Sequence, residues 1–348
     1  MAGRPLRRDR STAVSGFRAG PRNSLTDVSG LLVGHAGDET LKSGATVILC
    51  DPPAVAGVKV LGGAPGTRET DLLAPENMVQ AADAIVLSGG SAFGLDAASG
   101  VQAFLREQNR GFAVAGFRVP IVAGAILFDL ANGGDKAWGR YPPYRDLGYA
   151  AAENASETVL LGSVGAGLGA STATVRGGLG TASVQLENGI TVAAMVAVNA
   201  LGSPLIGATR RFWAAPFEIG EEFGGLGWPA PMPEGVTTPR TKFSARSGAN
   251  TTIAAIATDA VLDKSAATRL ATAAHDGFAR ALWPAHTDFD GDLVFALATG
   301  SSAVTPDAAM RLEMAAAAAA VMARAIARGI HAAAPSRGVG LPAWCELG

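Results

Sequence analysis

The chain has 348 residues, a mass of 35.0 kDa and a formal net charge of −2. Hydrophobic residues make up 48% of it and charged residues 17%, which excludes a disordered chain, because disorder requires low hydrophobicity and high net charge. The near-neutral charge argues against nucleic-acid binding, which relies on a basic surface. Two cysteines and four histidines are too few for a disulfide framework or a histidine-rich metal centre, so we expect no metal.

The amino-terminal segment is basic, with six arginines and one acidic residue before Asn23. It lacks the apolar run of a secretory signal, so we expect a flexible tail over residues 1–23 and a single catalytic domain over 24–348. No run of residues is long and apolar enough to predict a membrane helix. With the low cysteine content, this predicts a cytoplasmic protein that does not contact membranes.

Short apolar or β-branched runs alternate with helical patterns from Thr26 onwards. The predicted strands are Ala45–Cys50, Ala84–Ser88, Thr181–Glu187, Ile190–Asn199, Thr251–Asp259 and Leu293–Thr299. The predicted helices are Gly94–Gln108, Lys264–Leu282 with Asp263 as N-cap, and Pro306–Arg328 with Thr305 as N-cap. This order of elements predicts an α/β fold in which helices cover sheets.

The third predicted helix is alanine-rich and apolar on almost every face. Such a helix is normally buried on all sides, either inside a layered fold or between subunits. Together with the low charge content, it favours a homo-oligomer, a tetramer or larger. A monomer with a deeply buried helix is the alternative.

Three motifs that contain glycine resemble known sites but fail on detail. The segment 165–170 matches a dinucleotide-binding fingerprint, but glycines at 177, 178 and 180 lie where its helix would run, and each would destabilise a helix by ~1 kcal/mol. The segment 288–292 begins like a calcium loop, but its glycine comes too early and position twelve is Thr299. The segment 89–93 lacks the second glycine of a serine-hydrolase nucleophile elbow.

A long irregular segment, Pro216–Ser247, leads directly into the predicted strand that begins at Thr251. A hydroxyl residue at a strand start after a cleavable loop is what an N-terminal nucleophile hydrolase requires. The Thr251 hydroxyl would attack the carbonyl of Asn250, and hydrolysis of the ester would free an α-amine with a reference pKa near 7.7–8.0. That amine can activate the hydroxyl of the same residue. On spacing alone, a turn asparagine before an ordinary strand remains the alternative.

The sequence resembles the family of L-aminopeptidases/D-esterases, which includes β-aminopeptidases and nylon-oligomer hydrolases. The resemblance covers essentially Leu25 to Arg328 and rests on several motifs in the family's order. They are LTDVSGLLVGH at 25–35, LSGGSAFGLD at 87–96, ILFDL at 126–130, GAG at 165–167 with GGLG at 177–180, and GANTT at 248–252.

This resemblance implies a four-layer αββα sandwich, like that of N-terminal nucleophile hydrolases but with different strand connections. It implies self-cleavage between Asn250 and Thr251, giving a large fragment (1–250) and a small fragment (251–348). Thr251 would be the nucleophile, Asn199 would supply an oxyanion-hole donor, and Asp288 and Asp290 would lie beside the nucleophile. A strand-ending turn for Asn199 and a solvated turn for the two acids remain the alternatives.

The sequence departs from the family pattern at two positions of the implied substrate site. Thr174 stands where many relatives carry a lysine, so Arg176 or Lys242 would have to supply the missing cation. Phe128 stands where a tyrosine is found in the nylon-oligomer hydrolases, which could shift substrate preference.

The implied activity is hydrolysis of amide bonds in short peptides, amino acid amides or esters, or ω-amino acid oligomers, through an acyl ester on Thr251 and without a cofactor. Two other functions stay open at this point. One is a processed but noncatalytic binding or scaffold protein, and the other is an acyltransferase of the same fold.

Overall fold

The computed structural model describes residues 16–242, 250–335 and 340–348. The described strands are β1 Leu31–Asp38, β2 Ser43–Val60, β3 Thr67–Arg68, β4 Ala81–Ser88, β5 Phe112–Val114, β6 Phe117–Val119, β7 Val122–Ile126, β8 Gly178–Gln185, β9 Thr191–Asn199, β10 Thr251–Thr258 and β11 Leu293–Ala298. The described α-helices are α1 Ala97–Glu107, α2 Tyr144–Glu153, α3 Lys264–Ala281 and α4 Ala308–His331.

Nine of these strands are joined by continuous hydrogen bonding in the order β3-β7-β4-β2-β11-β10-β9-β8, with β1 paired to β2. The pairs β4–β7 and β10–β11 are parallel and the other pairs are antiparallel. Strand β2 is long enough to pair in both halves of this sheet. Its first half pairs with β1 and β4, and its second half pairs with β11 after a register shift between Leu49 and Ala54.

Three buried clusters divide this sheet into layers. One cluster packs β2, β4 and β7 against α1 and α2, and another packs β8 to β11 against α3 and α4. The third lies between the two halves of the sheet and includes Ile48, Leu87, Met195, Ile253 and Phe295. Because side chains alternate along each strand, every central strand contributes to an inner and an outer cluster. The αββα sandwich predicted from the resemblance is confirmed.

Helix α4 begins later than predicted. Asp307, rather than Thr305, is the N-cap, since its carboxylate accepts a hydrogen bond of 2.9 Å from the amide of Met310. The helix is buried from Met314 onwards against β8, β9 and α3 of the same chain. Its apolar surface is thus covered within one subunit. The N-cap predicted for α3 is confirmed, with Asp263 accepting from Ala266 at 2.7 Å.

Residues 16–23, which the sequence assigned to the flexible tail, lie against β8. The amide of Gln185 donates to the carbonyl of Arg18 at 3.0 Å, and the amide of Gly20 donates to the Ser183 hydroxyl at 3.2 Å. Asn23 accepts a hydrogen bond of 2.9 Å from the buried Arg324 of α4. The structure therefore places this end of the tail on the sandwich.

Candidate active site

The junction between Asn250 and Thr251 is buried at the start of β10. Thr251 is the first residue of the strand, opposite Asn199 of β9, and Asn250 bridges to Asp290 just before β11. Asn250 is 0% exposed and Thr251 2% exposed. The central strands on either side therefore hold this peptide bond away from solvent.

The carbonyl oxygen of Asn250 accepts two hydrogen bonds. The Thr251 hydroxyl donates to it at 2.5 Å, and the main-chain N–H of Gly291 donates to it at 2.9 Å. The hydroxyl oxygen is therefore beside the carbonyl carbon that it would attack. The Gly291 N–H is in place to stabilise negative charge on the carbonyl oxygen, as an oxyanion-hole donor does.

Asn199 lies opposite Thr251, and hydrogen bonds to both its Oδ1 and its Nδ2 fix the orientation of its side-chain amide. Its Oδ1 accepts a hydrogen bond of 3.1 Å from the amide of Ser171, and its Nδ2 donates to the carbonyl of Phe128 at 2.9 Å. In this uncut chain, Gly291 rather than Asn199 donates to the Asn250 carbonyl. Asn199 thus links the end of β9 to the segment after β7.

Lys242 supplies a cation to this cluster. Its Nζ donates to the carbonyl of Asn199 at 3.3 Å and to the Asn199 Oδ1 at 3.1 Å. Burial lowers the pKa of Lys242 to about 7, and the nearby charge of Asp290 opposes part of that shift. The lysine can therefore exchange a proton near neutral pH, which an exposed lysine cannot.

Arg176, the other residue considered for the missing cation, and Thr174, which stands at the lysine position, make other hydrogen bonds. Arg176 donates to the carbonyls of Ala334 at 2.9 Å and Leu168 at 3.0 Å. The Thr174 hydroxyl shares a hydrogen bond of 2.9 Å with Ser203. Of the two residues that could supply the missing cation, Arg176 and Lys242, it is Lys242 that contacts the Asn199 side chain.

The acidic turn before β11 contributes two buried carboxylates. Asp290 accepts from the amide of Leu201 at 3.2 Å and from the hydroxyl of Thr287 at 2.7 Å. Asp292 accepts from the amide of Thr252 at 2.9 Å, one residue after the candidate nucleophile. Burial, and then the charge of Asp292, raises the pKa of Asp290. Asp292 is thus bonded to the start of β10, and Asp290 to the segment that follows β9.

Asp288 is exposed, whereas Asp290 and Asp292 are 1% exposed. The family resemblance predicts Asp288 and Asp290 beside Thr251, whereas the structure brings Asp290 and Asp292 there. Asp288 lies in a turn, and Asp290 and Asp292 follow it in the segment that leads into β11, so the sequence alone could not fix which of the three face inward. The direct signal for Asp292 is its place immediately before the apolar run of β11.

Two histidines extend the acidic turn inward. The Nδ1 of His286 lies 3.0 Å from Asp292 Oδ2, and its Nε2 lies 3.3 Å from the Nδ1 of His275 on α3. His275 Nε2 lies 2.9 Å from the carbonyl oxygen of Lys59. The sequence does not predict this pair, because the two residues come from separate elements and match no motif.

Within residues 16–242, 250–335 and 340–348, no group of three or more His, Cys, Asp or Glu residues is arranged to hold a metal ion. In the same ranges, no helix has both the length and the apolar character needed to cross a bilayer.

The sandwich is the fold of the N-terminal nucleophile hydrolases, and a buried hydroxyl lies at the start of one of its central strands. A profile of peptidase family S58 matches residues 23–341, and the chain belongs to that family. It is therefore a hydrolase that acts on amide bonds.

Several known proteins are similar to this chain along most of its length. A Mycobacterium tuberculosis protein named uncharacterized aminopeptidase is 44% identical over 340 residues, covering 91% of this chain and 96% of the relative. A 6-aminohexanoate-oligomer endohydrolase from Kocuria sp. is 29% identical over 293 residues, covering 78% and 74%.

Two solved structures share the fold. The β-aminopeptidase of a Burkholderia species has a TM-score of 0.69 at 23% identity, covering 92% of this chain and 90% of that one. The L-aminopeptidase/D-Ala-esterase/amidase of Ochrobactrum anthropi has a TM-score of 0.64 at 21% identity, covering 94% and 91%. The latter is described as a variant of the Ntn hydrolase fold.

Proposed function

We propose that this chain is a self-processing aminopeptidase-type amidohydrolase whose nucleophile is Thr251. The observation that carries the proposal is the geometry at the junction. The Thr251 hydroxyl lies 2.5 Å from the carbonyl oxygen of the preceding residue, and the Gly291 N–H lies 2.9 Å from the same oxygen. Attacking group and charge-stabilising donor thus already meet at one peptide bond.

Self-cleavage follows from this arrangement in two steps. The hydroxyl oxygen of Thr251 bonds to the carbonyl carbon of Asn250, the hydroxyl proton passes by way of a base to the Thr251 nitrogen, and the C–N bond breaks. Water then hydrolyses the resulting ester, leaving a carboxylate on Asn250 and a free amine and hydroxyl on Thr251. We assign the base to Lys242, because its Nζ contacts Asn199, the residue opposite Thr251, and its lowered pKa leaves part of it neutral near pH 7.

The freed α-amine then serves as the base for turnover. It accepts the hydroxyl proton while the oxygen attacks the substrate carbonyl, and it returns that proton to the leaving amine as the amide bond breaks. Water attacks the acyl ester next and regenerates the Thr251 hydroxyl. We place the substrate carbonyl oxygen near Asn199, whose side chain faces the nucleophile across the strand pair.

The buried acids favour a substrate that carries an ammonium group. Asp290, which bridges to Asn250 before the strand start, bears the charge complementary to an amino-terminal ammonium. The relatives are named as an aminopeptidase, a β-aminopeptidase and a 6-aminohexanoate-oligomer endohydrolase. We therefore propose short peptides, amino acid amides or esters and ω-amino acid oligomers as substrates, with Phe128 beside them.

Gel electrophoresis and Edman degradation test the proposal. The purified chain should separate into bands of roughly 25 and 10 kDa, in proportion to 250 and 98 residues, and the smaller should begin Thr-Thr-Ile. Thr251→Ala should stay uncut and inactive, whereas Thr251→Ser, which keeps a hydroxyl, should still cut. Thr252→Val is the matched control, because that hydroxyl makes no hydrogen bond within the described residues.

An intact wild-type band after prolonged incubation would refute self-processing. If the chain is cut but releases no amine from a panel of L-, D-, β- and ω-amino acid amides, the scaffold function replaces the enzymatic one. Transfer of the acyl unit to an added amine faster than to water would identify an acyltransferase.

We also propose that the protein is a cytoplasmic homo-oligomer, a tetramer or larger, without nucleic-acid or membrane partners. The hairpin of β5 and β6 supports an oligomer, because it exposes Phe112, Val114, Phe117 and Val119. The two cysteines, Cys50 and Cys345, are unpaired, which suits a reducing compartment. Light scattering after size-exclusion chromatography measures the subunit number, and a monomer would refute the proposal.

A further inference from the structure

A line of hydrogen bonds runs from the main chain of β2 to the start of β10 through two histidines and one carboxylate. It passes from the Lys59 carbonyl to His275, to His286 and to Asp292, with steps of 2.9, 3.3 and 3.0 Å. Asp292 completes it by accepting from the amide of Thr252 at 2.9 Å. The main-chain amide of His286 also donates to Asp292, at 3.0 Å.

The end points of this line fix where its protons lie. The Lys59 carbonyl can only accept, so Nε2 of His275 carries a proton. A neutral His275 then offers Nδ1 as an acceptor, so Nε2 of His286 must carry a proton as well. An ionised Asp292 also only accepts, so Nδ1 of His286 is protonated too. Donor and acceptor matching thus makes His286 an imidazolium opposite the Asp292 carboxylate.

The surroundings favour placing the charge on His286 rather than on His275. Burial lowers the pKa of His275 to about 4. Burial also acts to lower the pKa of His286, but the hydrogen bond and charge of Asp292 outweigh it, and the net shift is upward. The charged groups around the pair are Asp292, Asp290 and Lys59, and Lys242 faces Asp290 from the other side.

The far end of this line lies close to the nitrogen that self-cleavage would free. Asp292 Oδ1 is 2.9 Å from the nitrogen of Thr252. Since one residue spans at most ~3.6 Å, that carboxylate oxygen is within roughly 6.5 Å of the Thr251 nitrogen. An uncompensated carboxylate at this distance would stabilise the ammonium form of Thr251 and raise the pH at which the free base appears.

We propose that His286, held by His275, is the counter-ion of Asp292 and thereby sets the pH at which the Thr251 amine becomes an active base. His286 is a positioning residue, because it acts through Asp292 and does not touch the reacting atoms. The inference rests on the proposed self-processing function, since it concerns the amine that this function creates.

The variant His286→Asn tests the proposal. Residue 286 has a φ of 57°, a left-handed conformation that asparagine tolerates better than most residues. The asparagine side chain keeps a neutral donor for Asp292 but cannot carry a charge. We expect the acid limb of the kcat/KM profile to move up by about one pH unit, with a roughly tenfold loss below the limb and wild-type activity on the plateau.

His331→Asn is the matched control, because His331 lies in the last turn of α4 against Trp344. Its acid limb should coincide with that of the wild type. A uniform loss of activity in His286→Asn without movement of the limb would overturn the proposal, since that is the result of a merely structural role.

A second measurement does not depend on turnover. Nitrogen-15 spectra of the four histidine rings, assigned by single substitutions, report which ring nitrogens carry protons at pH 7. We expect both nitrogens of His286 and only Nε2 of His275 to be protonated. An unprotonated His286 nitrogen at pH 7 would overturn the proposal. An uncut wild-type chain on a gel would instead refute the proposed function, while these spectra would still decide the charge of His286.

Discussion

Replacing Gly291 by alanine tests whether the position of the Thr251 hydroxyl controls self-cleavage. A Cβ on residue 291 would lie 2.7 Å from Thr251 Oγ1, 2.8 Å from Thr251 Cγ2 and 2.7 Å from the carbonyl oxygen of Ala64. It would therefore press on both the Thr251 side chain and a main-chain group. Gly291 has no positive φ, so alanine suits its backbone conformation. The Gly291 N–H is kept, and the substitution therefore changes position alone.

The size of the effect follows from these distances. Ordinary contacts begin near 3.4 Å, so Thr251 Oγ1 must move by about 0.7 Å. A misplacement of ~1 Å can reduce a rate by ~10²-fold, so we expect self-cleavage to slow by between ~10-fold and ~100-fold. Newly made protein from a cell-free translation, followed by gel electrophoresis over time, gives the rate.

Gly340→Ala is the matched control, because a Cβ there meets nothing within 4 Å, and it should cut at the wild-type rate. Thermal unfolding of both variants separates misplacement from misfolding. A folded Gly291→Ala chain that cuts as fast as the wild type would refute the link between hydroxyl position and cleavage.

Three further substitutions probe the charges of the site. The pKa of Lys242 is about 7 in the folded chain, against an ordinary value of 10.5. Between these two pH values the unfolded chain binds more protons than the folded one. The free energy of unfolding should therefore rise with pH there by up to ~1.4 kcal/mol per unit. In the uncut Thr251→Ala background, denaturant unfolding at pH 7.5 and 9.5 should show this rise, and adding Lys242→Met should remove it. An unchanged rise would contradict the lowered pKa of Lys242. Asp288→Asn should alter cleavage and turnover less than twofold, because the side chain is exposed, whereas Asp292→Asn should slow both at least tenfold. Equal effects of the two substitutions on the cleavage rate would show that burial does not distinguish these acids.

Hydrophobic patterning predicted most central strands because their apolar runs are long. The strand predicted from Ala45 ends at Cys50, before Pro52 and Pro53. In the structure, β2 continues to Val60 through the register shift between Leu49 and Ala54. It missed α2, whose N-cap Pro143 makes no side-chain capping bond and whose Gly148 weakens the helical pattern. That glycine allows close packing on Ala97 of α1, which is a tertiary reason.

One part of the candidate site can be predicted from local sequence, and the other part depends on tertiary contacts. Asn250 and Thr251 form a local motif, and the structure places them together in the core. Asp292, His275 and His286 come together only through the pairing of β10 with β11 and the packing of α3. A single sequence cannot give that arrangement, because the facing of each side chain depends on the turn that precedes β11.

The position of β10 bears on how the cut protein would respond to denaturation. This strand lies between β9 of the large fragment and β11 of the small one, and α3 and α4 form a whole outer layer from the small fragment. Neither piece retains a complete sandwich, so the halves would stay associated after scission and unfold as one unit. Refolding of the cut protein would then require two chains to associate, so its rate would fall on dilution. Uncut Thr251→Ala would refold at a rate that does not depend on concentration.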